Sequence, residues 1–181
     1  DLSLGKHNFR KIDDLNTVGI DFSDKDAFDD FMAGEVHIPV NKPILFKIRA
    51  RDVLHSVFAP HFRLKMDAVP GMPTKFWFTP TITTADMKAK TGNADFTYEI
   101  ACTEICGRGH FGMRIPLIVH EQAEYDTWFK AQQSFLAKNP DYLKMVPDNL
   151  KKLAEESIQN NKKSTTVASL ERVSQSVAKS N

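Results

Sequence analysis

Between residues 35 and 119 the chain is written in short runs of period two. Val36, Ile38 and Val40 alternate with Glu35, His37 and Pro39; Ile44, Phe46 and Ile48 alternate with Leu45, Lys47 and Arg49. Further alternating or apolar runs follow at Phe62–Met66, Lys75–Phe78, Phe96–Ile100 and Ile115–Val119. Each is bounded by Pro, Gly, Asn or Asp, the punctuation of strands. No helical period of ten or more residues falls between them, so βαβ crossovers are excluded. The pattern predicts an all-β domain built as an antiparallel sandwich. Residues 80–95 read as a long loop with one helical turn at Thr84–Lys90, closed by Gly92 and Asn93.

The flanks differ in character. Residues 1–33 form an acidic N-terminal extension, with seven aspartates and one lysine between Asp13 and Asp30. Ser23 is the expected cap of a short helix carrying Phe28, Phe31 and Met32 on one side. The sandwich domain is assigned to residues 34–120. Residues 121–137 read as an amphipathic helix, with Tyr125, Trp128, Phe129, Gln132 and Phe135 along one stripe. Residues 138–181 are a polar tail, expected to be mobile or partner-dependent, with weak helix potential at Asn149–Asn160.

Composition sets the outer limits. With 41% hydrophobic and 26% charged residues, 13 of them Phe, the chain has the makings of a packed core. Lys plus Arg number 24 against 23 Asp plus Glu, a formal net charge of +1, so no nucleic-acid partner is expected. Two cysteines are too few for a disulfide scaffold. No apolar run approaches the roughly 20 residues of a membrane helix. The chain begins at Asp1 with neither a methionine nor a signal peptide, as a processed or excised part of a longer polypeptide would.

One stretch carries the chemistry: Cys102-Thr-Glu104-Ile-Cys106-Gly-Arg-Gly-His110-Phe-Gly-Met113. Two thiols, an imidazole and a thioether fall within twelve residues, between the strands ending near Ala101 and starting near Arg114. Soft sulfur with imidazole selects copper, zinc or iron–sulfur chemistry over hard cations. Four other readings remain open on these residues alone. The cysteines could be a disulfide, a zinc site with His110 that leaves Met113 idle, or the redox thiols of a copper-delivery protein, and Met113 could be core packing. A further ligand is available in His55, within Arg51-Asp-Val-Leu-His55-Ser and just after a strand. His7, His37, His61 and His120 have no such support and read as surface or packing residues.

Four segments together resemble subunit II of the heme–copper cytochrome c oxidases. They are Glu35-Val-His-Ile-Pro-Val40, Arg51-Asp-Val-Leu-His-Ser56, Lys65-Met-Asp-Ala-Val-Pro-Gly71 and the Cys102–Met113 run. The likeness covers about Gly34 to Lys130 and is closer to bacterial than to mitochondrial members. It implies a cupredoxin-like Greek-key sandwich, with a C-terminal helix and long tail, holding a binuclear copper centre, CuA. By that resemblance Cys102 and Cys106 bridge two coppers, His55 and Met113 serve one, and His110 with the main-chain carbonyl of Glu104 serves the other. The same resemblance implies electron transfer from cytochrome c, with Asp52 at a docking position, to the heme–copper subunit I that reduces oxygen. It further implies a magnesium or manganese ion held by the Glu104 carboxylate at the subunit I interface.

The expected location is the periplasmic face of a bacterial inner membrane, through membrane helices outside this chain; a mitochondrial intermembrane face is the lesser expectation. Departures from the family pattern are also visible. Val57 and Phe58 stand where many members have Trp, the Thr79–Asn93 loop is long, and residues 138–181 have no evident counterpart. The alternatives are a CuA domain of the nitrous-oxide reductase type, joined to a large propeller, or a copper-delivery or assembly protein. The last class needs a thioredoxin-like α/β pattern that this sequence lacks.

Overall fold

A computed structural model describes the backbone of residues 3–179 and the side chains of residues 3–165. Residues 1–2 of the N-terminal extension and 180–181 of the tail lie outside the described residues. The chain divides into two compact units, Ala33–Tyr125 and Asp1–Met32 with Asp126–Asn181.

The first unit is the sandwich. Its strands are β1 (Val36–Pro39), β2 (Ile44–Ile48), β3 (His55–Ala59), β4 (Leu64–Ala68), β5 (Thr74–Phe78), β6 (Tyr98–Cys102) and β7 (Arg114–His120). Five form a sheet in the order β1-β7-β6-β3-β4, and β2 pairs with β5 in a separate ribbon. Ile38, Val40, Tyr98, Leu117 and Val119 are buried from the sheet side, and Ile44, Phe46 and Phe78 of the ribbon pack against them. Aromatic rings tie this core together: Phe46 meets Phe78 edge-on at 5.3 Å, and Phe62 lies 4.8 Å from Phe78 and 5.0 Å from Tyr98. Such pairs add about 0.5–1.5 kcal/mol each beyond the area they bury.

Three expectations for this unit need correcting or refining. The pairing is not wholly antiparallel, because β1 runs parallel to β7, with Val36 opposite Leu117 and Pro39 opposite His120. The chain between them is the rest of the domain, so the absence of a crossover helix does not forbid it. β1 is an edge strand, which is why Pro39 is tolerated there. Second, His55 does not follow a strand but begins one, β3. The fully buried positions of β3 are Ser56 and Ala59, too small and polar to write a hydrophobic alternation. Third, the expected helical turn is a full helix, α1 (Thr84–Thr91). Thr83 caps its start by accepting from the Asp86 amide, and Gly92 ends it in the left-handed conformation that glycine adopts freely. The Thr84 hydroxyl accepts from the Val119 amide at 2.8 Å, fastening α1 to β7.

The second unit has its own core of Ile20, Phe22, Phe28, Phe135, Leu136, Tyr142, Val146, Ala154 and Ile158. Asn16, wholly buried, acts as its polar hub: its amide donates to the Lys11 and Ile20 carbonyls and its oxygen accepts from the Ile20 amide. Ser23 does not cap the short helical turn Lys25–Ala27; Asp24 does, while the Ser23 hydroxyl donates to Asp21. The expected helix at 121–137 is two helices, α2 (Gln122–Lys130) and α3 (Phe135–Lys138), because Ser134 caps a new start with its hydroxyl on the Ala137 amide. The tail reading also changes. Helix α4 runs Lys151–Lys179, and Ala154 and Ile158, one turn apart, are buried in this core. Two apolar anchors four residues apart are a thin stripe, easily lost among Lys, Ser, Asn and Gln.

Among the described residues no helix is long and apolar enough to cross a membrane.

Candidate metal centre

The sandwich brings three chain segments to one end. His55 opens β3, Cys102 closes β6, and Met113 immediately precedes β7. The ladder continues past the strand ends, since the Cys102 amide donates to the Met113 carbonyl at 3.0 Å and the Thr103 amide to the Ser56 carbonyl at 3.1 Å. Between them Gly107, at φ +133°, reverses the chain in a conformation that side chains resist. The His110 amide donates to the Gly107 carbonyl, and a tight helical turn over His110–Gly112 returns the chain to β7.

All six residues singled out in the sequence as ligands converge here. The Cys102 and Cys106 sulfurs are 3.8 Å apart, and both cysteines are free. His55 Nδ1 lies 3.8 Å from the Cys102 sulfur, and His110 Nδ1 lies 3.6 Å from that of Cys106. The Met113 sulfur is 3.3 Å from Cys106, and the Glu104 carbonyl accepts from the Cys102 thiol at 3.3 Å. The ligand atoms of His55, Cys102 and Cys106 all lie within 4.8 Å of one another, a group able to hold a metal ion. Two sulfurs, two imidazoles, a thioether and a carbonyl form a soft, electron-rich set that fits copper better than any hard cation.

Electrostatics prepare the sulfurs unequally. Burial pushes the Cys102 thiol up, but hydrogen bonds at Ser56 and Glu104 and the neighbouring imidazoles outweigh it and bring the thiol down to about 6. The Cys106 thiol moves up, through burial and the adjacent Cys102 sulfur.

Asp52, read in the sequence as a docking residue, also touches a candidate ligand. Its carboxylate accepts from His55 Nε2 at 2.8 Å, which holds the Asp52 carboxyl below its ordinary value and raises the His55 imidazole. With Nε2 occupied as a donor, Nδ1 is left to face the sulfurs. This is how carboxylates orient metal-binding histidines. No spacing rule in the sequence singles out that contact, although a carboxylate three residues before a candidate histidine is a fair hint. Around the site Ile105 and Phe111 are 85% and 87% exposed, and with Val53 and Leu54 they give the loops an apolar rim.

Fold and site together define a cupredoxin-like sandwich domain with a sulfur–imidazole cluster carried on its end loops. A family model for the periplasmic domain of cytochrome c oxidase subunit II matches residues 29–121. The chain belongs to that family. It is 37% identical over 134 residues to the alternative cytochrome c oxidase subunit 2 of Bradyrhizobium diazoefficiens, covering 73% of this chain and 44% of that protein. It is 41% identical over 103 residues to cytochrome c oxidase subunit 2 of Thermostichus vulcanus, covering 57% of this chain and 28% of that one. The crystal structure of the periplasmic domain of subunit II of cytochrome oxidase of Bradyrhizobium japonicum shares 31% identity, with a TM-score of 0.45 over 53% of this chain and 61% of that one. The chain thus spans less than half the length of the curated relatives it matches.

Proposed function

We propose that this domain is the electron-entry relay of a cytochrome c oxidase, built to hold the binuclear copper centre CuA. The observation that supports it most is the pair of free thiols 3.8 Å apart with an imidazole close to each. When bound, the copper pair supplies a one-electron carrier with its charge spread over two metals. Cys102 and Cys106 would supply the thiolates, His55 and His110 the imidazoles, and Met113 with the Glu104 carbonyl the two weaker donors. Asp52 fixes the His55 ring, and the strand ends fix both loops, so the donors move little between charge states. A protein donor in every position leaves no place for a substrate.

Cytochrome c would dock at the exposed Ile105 and Phe111 rim, with Asp52 adding charge there. Subunit I would receive the electron, and its hemes and copper would reduce oxygen to water. The Glu104 carboxylate is not needed for copper and would bind magnesium or manganese at that interface, as hard oxygen suits such cations. The expected setting is the periplasmic face of a bacterial inner membrane, with membrane helices elsewhere in the polypeptide.

The test is copper reconstitution of the full chain, followed by elemental analysis. Two coppers per chain are expected, falling sharply in Cys102→Ser and Cys106→Ser, because a hydroxyl is too hard and too weakly acidic to replace a bridging thiolate. Either variant keeping two coppers and an unchanged spectrum refutes the assignment.

A further inference from the structure

The long-range pairing of β1 with β7 places two histidines together at the far end of the sandwich. His120, the last residue of β7, lies opposite Pro39, and His37, opposite Ile118 and two residues before Pro39, falls on the same face of the sheet. His37 Nδ1 and His120 Nε2 face each other at 2.7 Å. The ring centroids are 5.0 Å apart and the ring planes differ by 8°. A gap of 2.7 Å plus one centroid-to-nitrogen length from each ring accounts for the whole centroid separation. The rings therefore meet head to head, nearly coplanar, with the two nitrogens on the line between them.

The outer nitrogens are also engaged. His37 Nε2 lies 3.3 Å from the Glu35 carboxylate, and His120 Nδ1 lies 3.4 Å from that of Glu124. The chain Glu35–His37–His120–Glu124 has three polar gaps, each requiring one hydrogen, while two neutral imidazoles supply only two. If the outer nitrogens donate to the carboxylates, two lone pairs point at each other. A positive centre between them resolves the conflict, and the flanking carboxylates balance its charge. Carboxylate–histidine pairs of this form orient imidazoles in metal sites. The imidazole side chains are only 10% and 20% exposed, so the pair is sheltered but reachable.

We propose that His37 and His120 form a second metal site, independent of the sulfur cluster, for an imidazole-seeking divalent cation such as zinc. Nδ1 of His37 and Nε2 of His120 are the ligands, Glu35 and Glu124 hold the rings, and water completes the coordination. At about 2.0–2.1 Å from each nitrogen and a tetrahedral angle, the two nitrogens must part by roughly 0.6 Å. Modest side-chain rotation supplies that. The site lies the length of β7 from Met113, about 23 Å at 3.3–3.4 Å per residue, so the two centres load separately.

The experiment is zinc titration of the copper-loaded full chain and of its Cys102→Ser/Cys106→Ser variant, by calorimetry with elemental analysis after dialysis. Both should take up one zinc per chain, with a rise in thermal midpoint. His37→Gln and His120→Gln should each weaken that binding at least about tenfold, Glu124→Gln should weaken it less, and His61→Gln should leave it unchanged. Circular dichroism checks that each variant is folded. Histidine ring-nitrogen resonances of the unsubstituted chain give a readout that needs no variant, and zinc should perturb those of His37 and His120. Absence of saturable zinc binding, equal affinity in His37→Gln, or perturbation of other rings instead would each overturn the proposal.

Discussion

Replacing Asp30 by Asn should stabilise the unit formed by the N-terminal extension and the C-terminal helices, and flatten its dependence on pH. Asp30 is 9% exposed, and its carboxylate accepts from the Gly5 amide at 3.1 Å. Burial first, and repulsion from Asp29, Asp24 and Asp26, outweigh that hydrogen bond and raise the carboxyl from 3.8 to about 6. For an acid raised in the fold, nothing is lost below the unfolded value, where both states are protonated. Between 3.8 and about 6 the unfolded chain releases its proton first, so stability falls as pH rises. Above about 6 the whole penalty is present. Two units correspond to roughly 3 kcal/mol, an upper figure because salt screens the neighbouring aspartates. A working range is about 1–3 kcal/mol, with a slope of no more than about 1.4 kcal/mol per pH unit.

Asp21, held down at about 2 by Lys11 and Ser23 against its burial, loses its contribution only at more acid pH, outside this window. The assay is urea unfolding by circular dichroism at pH 5 and pH 7.5. Asp30→Asn should gain over the unsubstituted chain at pH 7.5 and much less at pH 5. His55, raised by Asp52, adds a fall in stability as pH rises past 6.5, and Cys102, brought down to about 6, adds a rise; both proteins share these, so the difference between them isolates Asp30. An unchanged slope, or an Asn variant less stable at pH 7.5, would refute the reasoning.

Two further outcomes follow from named contacts. Leu117 is wholly buried in the sandwich core, so Leu117→Ala should lower the unfolding free energy by about 2–5 kcal/mol, read from chemical denaturation. Met113→Leu should retain two coppers while shifting the redox potential, because a thioether is a long, weak donor; complete copper loss in the folded variant, by elemental analysis, would contradict it.

The site was legible because its chemistry sits in residue identity: two thiols, an imidazole and a thioether within twelve residues need no tertiary structure to be noticed. His55 was found from its neighbours Asp52 and Ser56, but its strand was not, since Ser56 and Ala59 bury without a hydrophobic signature. The six strands that alternate clearly were visible for the opposite reason. Pairing was harder. Nothing local tells β1 that β7, some eighty residues on, will lie parallel beside it, and so His37 and His120 read as unrelated surface residues. The helix after the sandwich looked continuous because its stripe runs through Gln132 to Phe135, whereas the Ser134 cap restarts it. In each case the missing information was a contact between distant segments or a side chain satisfying the backbone.

The central claim, that these six residues hold two coppers sharing one unpaired electron, is tested most directly by electron paramagnetic resonance of the copper-loaded chain. Two equivalent copper nuclei bridged by Cys102 and Cys106 give a seven-line hyperfine pattern. A four-line pattern, from an electron confined to one copper, would contradict it.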